Sequence, residues 1–187
     1  MKIKLFIALS LSTILMSNKG LAQLVYQQKT WQHSVSATIG INYSNGTDIQ
    51  GLYTLRIKSS PFFISGGVTF GSEELAITSV TDASPYKELA KLQIIQLSGA
   101  YSLFDKISPT PINVTFFGGF INVNEKIDLR DGNNVSNNTV GNVVGTHFEW
   151  YCLRNLSLIV RQNLFFLYSS PFGKFRTNSS VGISINF

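Results

Sequence analysis

The chain has 187 residues, a formal net charge of +5, 13% charged and 12% aromatic residues, and a single cysteine, Cys152. One cysteine rules out a disulfide scaffold. The positive charge sits largely at the start: without Lys2, Lys4 and Lys19 the net charge of +5 drops to +2, scattered along the chain, which argues against a basic nucleic-acid-binding patch.

Lys2 and Lys4 precede an apolar run from Leu5 to Met16, and Gly20 and Ala22 supply small residues ahead of Gln23. This is the layout of a signal peptide over 1–22, with cleavage expected after Ala22. A spanning helix would need about 20 apolar residues, and the run is broken by Ser17, Asn18 and Lys19. Residues 23–187 are expected to form one domain.

Past the leader the apolar pattern has period two, which places apolar and polar residues on opposite faces of strands. Val35, Ala37, Ile39, Ile41 and Tyr43 alternate with Ser34, Ser36, Thr38, Gly40 and Asn42, and Asn45 and Gly46 supply a turn. A second strand runs from about Ile49 to Lys58, with Tyr53, Leu55 and Ile57 opposite Thr54, Arg56 and Lys58, and closes at Pro61. The third, Phe62 to Gly71, sets Ile64, Val68 and Phe70 against Ser65, Gly67 and Thr69, and Ser72 to Lys87 reads as a long polar loop. The fourth spans Leu89 to Phe104, although Tyr86 to Gln96 is the nearest the chain comes to a helical stripe. Pro109 and Pro111 mark the next turn.

Strand five covers Ile112 to Asn122, and the Asn-, Asp- and Gly-rich stretch from Val123 to Asn142 reads as a second long loop. Strand six, Val143 to Leu153, turns at Arg154 and Asn155 into strand seven, Leu156 to Tyr168. After a loop over Ser169 to Arg176, strand eight alternates cleanly: Thr177, Ser179, Val181, Ile183, Ile185 and Phe187 against Asn178, Ser180, Gly182, Ser184 and Asn186.

Eight strands of about 9 to 11 residues suit an all-β, eight-stranded antiparallel up-and-down transmembrane β-barrel. The second, fourth and sixth connections read as short and the third and fifth as long, as when short periplasmic turns oppose external loops. The polar set is mostly Ser, Thr, Gly and Asn, which fit an enclosed lumen, whereas a water-facing surface would carry more Lys and Glu. Outer-membrane lipid is therefore the expected neighbour of the apolar face. The lumen of so small a barrel is expected to be filled by side chains, without an open solute pore.

The terminal strand has Ser180, Gly182, Ile185 and Phe187 at the spacing of the sorting signal of bacterial outer-membrane barrels. Barrel assembly machinery is the expected partner of this edge. A more specific likeness begins at Leu129, Arg130, Asp131 and Gly132 and continues through Gly145, Glu149, Trp150, Tyr151, Arg161, Ser169, Ser170, Gly173, Lys174, Phe175, Gly182, Ile183 and Phe187. This pattern resembles the TraO family, proteins of conjugative transposons in Gram-negative bacteria. It departs from that family at His147 and Asn163, where an acid and a second basic residue are usual. The resemblance implies a structural or assembly role in a conjugal transfer apparatus at the outer membrane, with other conjugation proteins as partners.

Glu149 and Arg161 are the candidate site residues. An ordinary hairpin through Arg154 and Asn155 is expected to bring them nearly opposite one another, with His147, Tyr151 and Asn163, as a lumenal structural ion pair. An Arg facing lipid at mid-depth would cost about 2 to 4 kcal/mol. His147 with Glu149 could otherwise serve as a lumenal acid/base pair in a lipid-modifying enzyme, but no serine is obviously placed beside His147. His33 reads as an interfacial residue and Cys152 as an apolar filler. No catalytic residue, small-molecule substrate, cofactor or metal site is expected. The alternative function is a general surface protein that binds a partner through the two long loops.

Overall fold

The computed structural model describes residues 31–42, 46–57, 60–77, 86–103, 112–129, 134–153, 155–170 and 173–187. The expected signal peptide lies outside them, as do Arg130, Asp131 and Gly132 of the TraO-like pattern and Arg154 of the expected turn. The strands are β1 (Trp31–Asn42), β2 (Thr47–Ile57), β3 (Phe62–Ile77), β4 (Tyr86–Ser102), β5 (Ile112–Asp128), β6 (Asn134–Leu153), β7 (Leu156–Leu167) and β8 (Phe175–Asn186). Each pairs antiparallel with its neighbour in the chain, and β8 pairs with β1 to close the barrel.

Closure requires a stagger. Pairing followed from Thr38 through Gln50, Thr69, Ile94 and Val123 reaches Thr139 on β6, whereas the opposite route through Gly182 and Ile159 reaches Glu149, an offset of ten residues. Such a shear tilts the strands by roughly 40°, so a 12-residue strand such as β1 or β8 rises roughly 30 Å along the barrel axis. That height spans a hydrocarbon core.

The alternation resolves into an apolar outside and an enclosed polar inside. Ile39, Ile49, Phe120 and Val181 are more than 60% exposed, while their polar chain neighbours Thr38, Gln50 and Ser180 are nearly sealed from solvent. Aromatic residues mark both rims. Near the termini His33 stacks on Phe187 with centroids 5.9 Å apart and Phe62 meets Tyr101 at 5.0 Å; at the far rim Phe166 lies 5.6 Å from Tyr168 and 5.0 Å from Phe175. An apolar belt between aromatic girdles and around a polar lumen is the arrangement of a transmembrane barrel of the outer-membrane type.

The structure corrects two sequence expectations. Most of the supposed loops Ser72 to Lys87 and Val123 to Asn142 is strand: β3 continues to Ile77, β4 starts at Tyr86, β5 continues to Asp128 and β6 starts at Asn134. Beyond the membrane the outward face meets water instead of lipid, so Asn124, Lys126 and Asp128 are polar there while Val123, Glu125 and Ile127 stay buried inside, and the apolar-outward alternation by which strands are read from sequence is lost. Backbone pairing such as Glu73↔Ala90 and Glu125↔Asn137 nevertheless continues. The second correction concerns connection length. The fourth connection, 103–111, is no shorter than the third, 78–85, so the rims differ in strand protrusion rather than in loop size. β3 to β6 have 16, 17, 17 and 20 residues against 11 or 12 in the other four, so they rise as a four-stranded wall above the far rim.

The lumen is also less polar than the sequence suggests. Ile94, Ala100, Phe117, Ile121, Val123, Val143, Phe165 and Leu167 form a packed apolar cluster on the β4 to β7 side. Apolar side chains fill a narrow interior without needing hydrogen-bond partners, and polar groups concentrate where partners exist.

Candidate functional site

Glu149 and Arg161 both point into the lumen and are buried, 9% and 3% exposed. Their relation differs from the expected pair. A regular two-residue hairpin continuing the Leu153↔Leu156 pairing would set Glu149 opposite Val160 and leave Arg161 on the other face. Instead the register shifts between Tyr151 and Leu153, placing an extra residue, Cys152, on β6; Glu149 then faces Ile159 and His147 faces Arg161. This β-bulge brings both charged residues inside.

Once inside, the two do not bridge each other. The Glu149 carboxylate accepts hydrogen bonds from Tyr151 Oη at 3.0 Å and from Ser157 Oγ. The Arg161 guanidinium lies 4.1 Å from the centroid of the Phe117 ring, and its Nε donates to Asn163 Oδ1 at 2.9 Å. Each charge thus has a separate set of partners, and the direct ion pair is replaced by hydrogen bonds on one side and a cation–π contact on the other. Gly145 makes room for the Phe117 ring, since a Cβ there would lie 2.9 Å from Phe117 Cε1. A cavity of about 40 Å³ adjoins Glu149, His147, Arg56 and Asn113, enough for a few waters and too small for an organic substrate. Ser157 Oγ is committed to Glu149, and His147 Nε2 has no hydrogen-bond partner among the described residues.

A stronger ionic centre lies near the outer rim, and sequence reasoning missed it. Arg176 of β8 reaches Glu125 of β5 at 2.5 Å and Glu73 of β3 at 3.3 Å, with all three side chains at most 8% exposed. Ser170 Oγ donates to Glu125 at 3.1 Å, and Asn137 Nδ2 donates to it at 2.9 Å. The centre ties the base of the wall to β8 across the barrel. All three ionic residues fall in segments that read as loops from sequence. The available signal was parity: Glu73 continues the set Ser65, Gly67, Thr69, and Arg176 precedes Asn178 and Ser180 on the lumenal face of β8.

The terminal-strand residues sit at the closing seam. Phe187 and His33 exchange backbone hydrogen bonds of 2.9 and 3.1 Å, and His33 Nδ1 lies 2.5 Å from Tyr53 Oη, in an interfacial position. Gly182 is packed so tightly against β1 that a Cβ would meet the backbone of Ala37 and Thr38. Ile185 faces outward between Val35 and Leu156. Cys152 is half-buried, with its thiol 3.6 Å from the Trp150 carbonyl.

No family model matches the chain, and no curated protein matches it by sequence. Solved structures do resemble it. A major outer membrane protein of Thermus thermophilus superposes with a TM-score of 0.70 at 13% identity, over 85% of this chain and 100% of that one. Neisserial surface protein A gives 0.58 at 16% identity, covering 85% and 98%. Ail of Yersinia pestis, the attachment invasion locus protein, solved with the heparin analogue sucrose octasulfate, gives 0.54 at 10% identity, covering 84% and 97%. At these identities the likeness establishes a shared outer-membrane barrel fold.

Proposed function

We propose that this chain is an outer-membrane component of a conjugative-transposon transfer apparatus, acting as a membrane-anchored docking platform rather than a conduit. The transfer assignment rests on the TraO-like residues, among them Gly145, Glu149, Trp150, Tyr151, Arg161, Gly173 and Phe175. The docking role rests on one observation: strands β3 to β6 project beyond the rim while the lumen is packed with side chains. From Glu73 on, β3 extends past its contacts with β2, and Asn134 to Asn138 of β6 extend past the contacts that Thr139 and Val140 make with Ser169 and Tyr168, so the wall has two sheet edges whose backbone can pair with an added strand.

Conjugation frequency tests this directly. Deletion of the gene should lower transfer by at least an order of magnitude. Shortening the β5–β6 hairpin above Val123 and Thr139 should do the same while the barrel still assembles. Unchanged transfer after deletion would refute the transfer role. Normal transfer by a correctly assembled shortened barrel would refute docking through the wall. A second reading, a surface barrel that binds an external partner, is favoured by the same projecting wall. It predicts neighbouring genes unrelated to transfer, and loss of that binding when the hairpin is shortened.

A further inference from the structure

We infer that the barrel pairs with a second copy of itself within the membrane, through the outer face of β6, β7 and β8 centred on Gln162. From Val35 to Ile41, Ile49 to Leu55, Ile64 to Phe70, Ile95 to Tyr101 and Val114 to Phe120, every outward residue of β1 to β5 is aliphatic, aromatic or glycine. The remaining three strands differ. Thr146 on β6, Gln162 on β7 and Ser179 on β8 are polar, and all three are exposed on the outer surface.

The register gathers them. Thr146 pairs with Gln162 and Gln162 pairs with Ser179, so they form one polar row across adjacent strands. Gln162 lies four residues before Phe166, and Ser179 four residues after Phe175, both of the outer aromatic girdle. At a strand tilt near 40° each residue rises roughly 2.5 Å along the axis, so the row sits roughly 10 Å below that girdle, inside the hydrocarbon. Ser179 Oγ donates to Gln162 Oε1 at 2.5 Å, and no described residue accepts a hydrogen bond from Gln162 Nε2. Lipid tails offer no acceptor, so an amide N–H left among them is costly.

Symmetry and hydrogen-bond polarity identify the partner. Two barrels inserted with the same orientation are related by a twofold axis along the membrane normal when β7 of each faces the other, and Gln162 then meets Gln162 of the second copy at equal depth. A carboxamide is both donor and acceptor, so Nε2 of each copy donates to Oε1 of the other, which has a second lone pair beyond the one that Ser179 uses. Polar side chains join membrane segments in this way because the alternative is an unpaired group in hydrocarbon. A different protein would need a polar group at that same depth, whereas a second copy supplies it by symmetry. Val160 and Leu164 on β7, with Val144 and Val181 beside them, give the contact its apolar surround. This face lies within the bilayer, apart from the wall edges above the rim, and its pairing does not depend on the transfer role.

The test uses the complete barrel folded in lipid vesicles, in a Cys152→Ser background with donor or acceptor fluorophores on Asn155→Cys. Energy transfer is followed as the protein-to-lipid ratio falls, since excess lipid separates the copies and returns the face to hydrocarbon. Transfer should titrate as a monomer–dimer equilibrium. Gln162→Leu should weaken association about tenfold while keeping the gel-mobility shift of a folded barrel, because leucine suits lipid. In outer membranes a short bifunctional thiol reagent should join copies carrying Leu164→Cys and leave unjoined those carrying Leu97→Cys, which faces outward on β4. Energy transfer no greater than random proximity gives, association unchanged by Gln162→Leu, equal cross-linking at the two positions, or cross-linking of Leu164→Cys only to a different protein would overturn the inference.

Discussion

Arg176 offers the sharpest test of the enclosed lumen, because the barrel also carries an ion pair of similar length in open water. Replacing Arg176 by Met removes contacts of 2.5 Å to Glu125 and 3.3 Å to Glu73 and takes the cation away from two carboxylates among side chains at most 8% exposed. At an effective dielectric near 20 each contact represents about 5 to 7 kcal/mol of Coulomb energy, much of it offset by desolvation. Ser170 and Asn137 still donate to Glu125 in the variant, so the expected net loss is about 3 to 5 kcal/mol, or roughly two to nearly four powers of ten in the folding equilibrium. Lys91 and Asp128 lie 3.1 Å apart but are 68% and 62% exposed, and Lys91→Met should cost less than about 1 kcal/mol. Equilibrium urea unfolding in lipid vesicles measures both. A triple replacement of Glu73, Glu125 and Arg176 by apolar or amide residues should recover most of the loss. If Arg176→Met costs no more than Lys91→Met, Arg176 is solvated and the outer lumen is not closed.

Other consequences follow from the same geometry. Val160, which faces outward near the middle of β7, should lose about 2 to 4 kcal/mol of folding stability on replacement by Arg, measured by the same unfolding assay; a neutral effect would mean that this face does not meet lipid. Phe117→Ala should cost about 3 to 5 kcal/mol, and a double-mutant cycle with Arg161→Met should show a coupling of about 2 kcal/mol or more for the desolvated cation–π contact, whereas additive losses would show that the 4.1 Å approach carries no energy. Truncating Phe187 should reduce the folded, heat-modifiable barrel recovered from outer membranes, because it removes the His33 stack and the last backbone pair of the seam; unchanged yield would dismiss the terminal residue as an assembly determinant. In a Cys152→Ser background, Asn138→Cys on the wall should react with a membrane-impermeant maleimide on intact cells and Asn155→Cys should not, and the opposite pattern would invert the assigned orientation.

Strand parity was legible wherever lipid enforced it. In β1 and β8, and in β2 apart from Leu52, the lipid-facing apolar residues alternate with polar ones and the observed faces follow that reading; Leu52 is apolar yet buried on the lumenal face. It blurred at the doublets Ile94–Ile95, Phe116–Phe117 and Val143–Val144, where one member faces lipid and the next fills the lumen. Hydropathy marks both members as apolar and cannot separate a membrane-facing residue from one packed inside. It failed above the rim, where the outward residues of β3 to β6 meet water and turn polar, while Ala90, Val123, Glu125 and Ile127 remain buried inside and backbone pairing continues.

Local sequence determined that this is a transmembrane barrel and which face of most strands meets hydrocarbon, because the pleat alternates every residue and the bilayer penalises each polar group turned toward it. The tertiary structure decided who meets whom inside. The extra residue at Cys152 brings Glu149 and Arg161 onto one side, and the ten-residue stagger brings Glu73, Glu125 and Arg176 together from three strands. Such meetings depend on register summed around a closed sheet, a long-range quantity that no window of neighbouring residues contains.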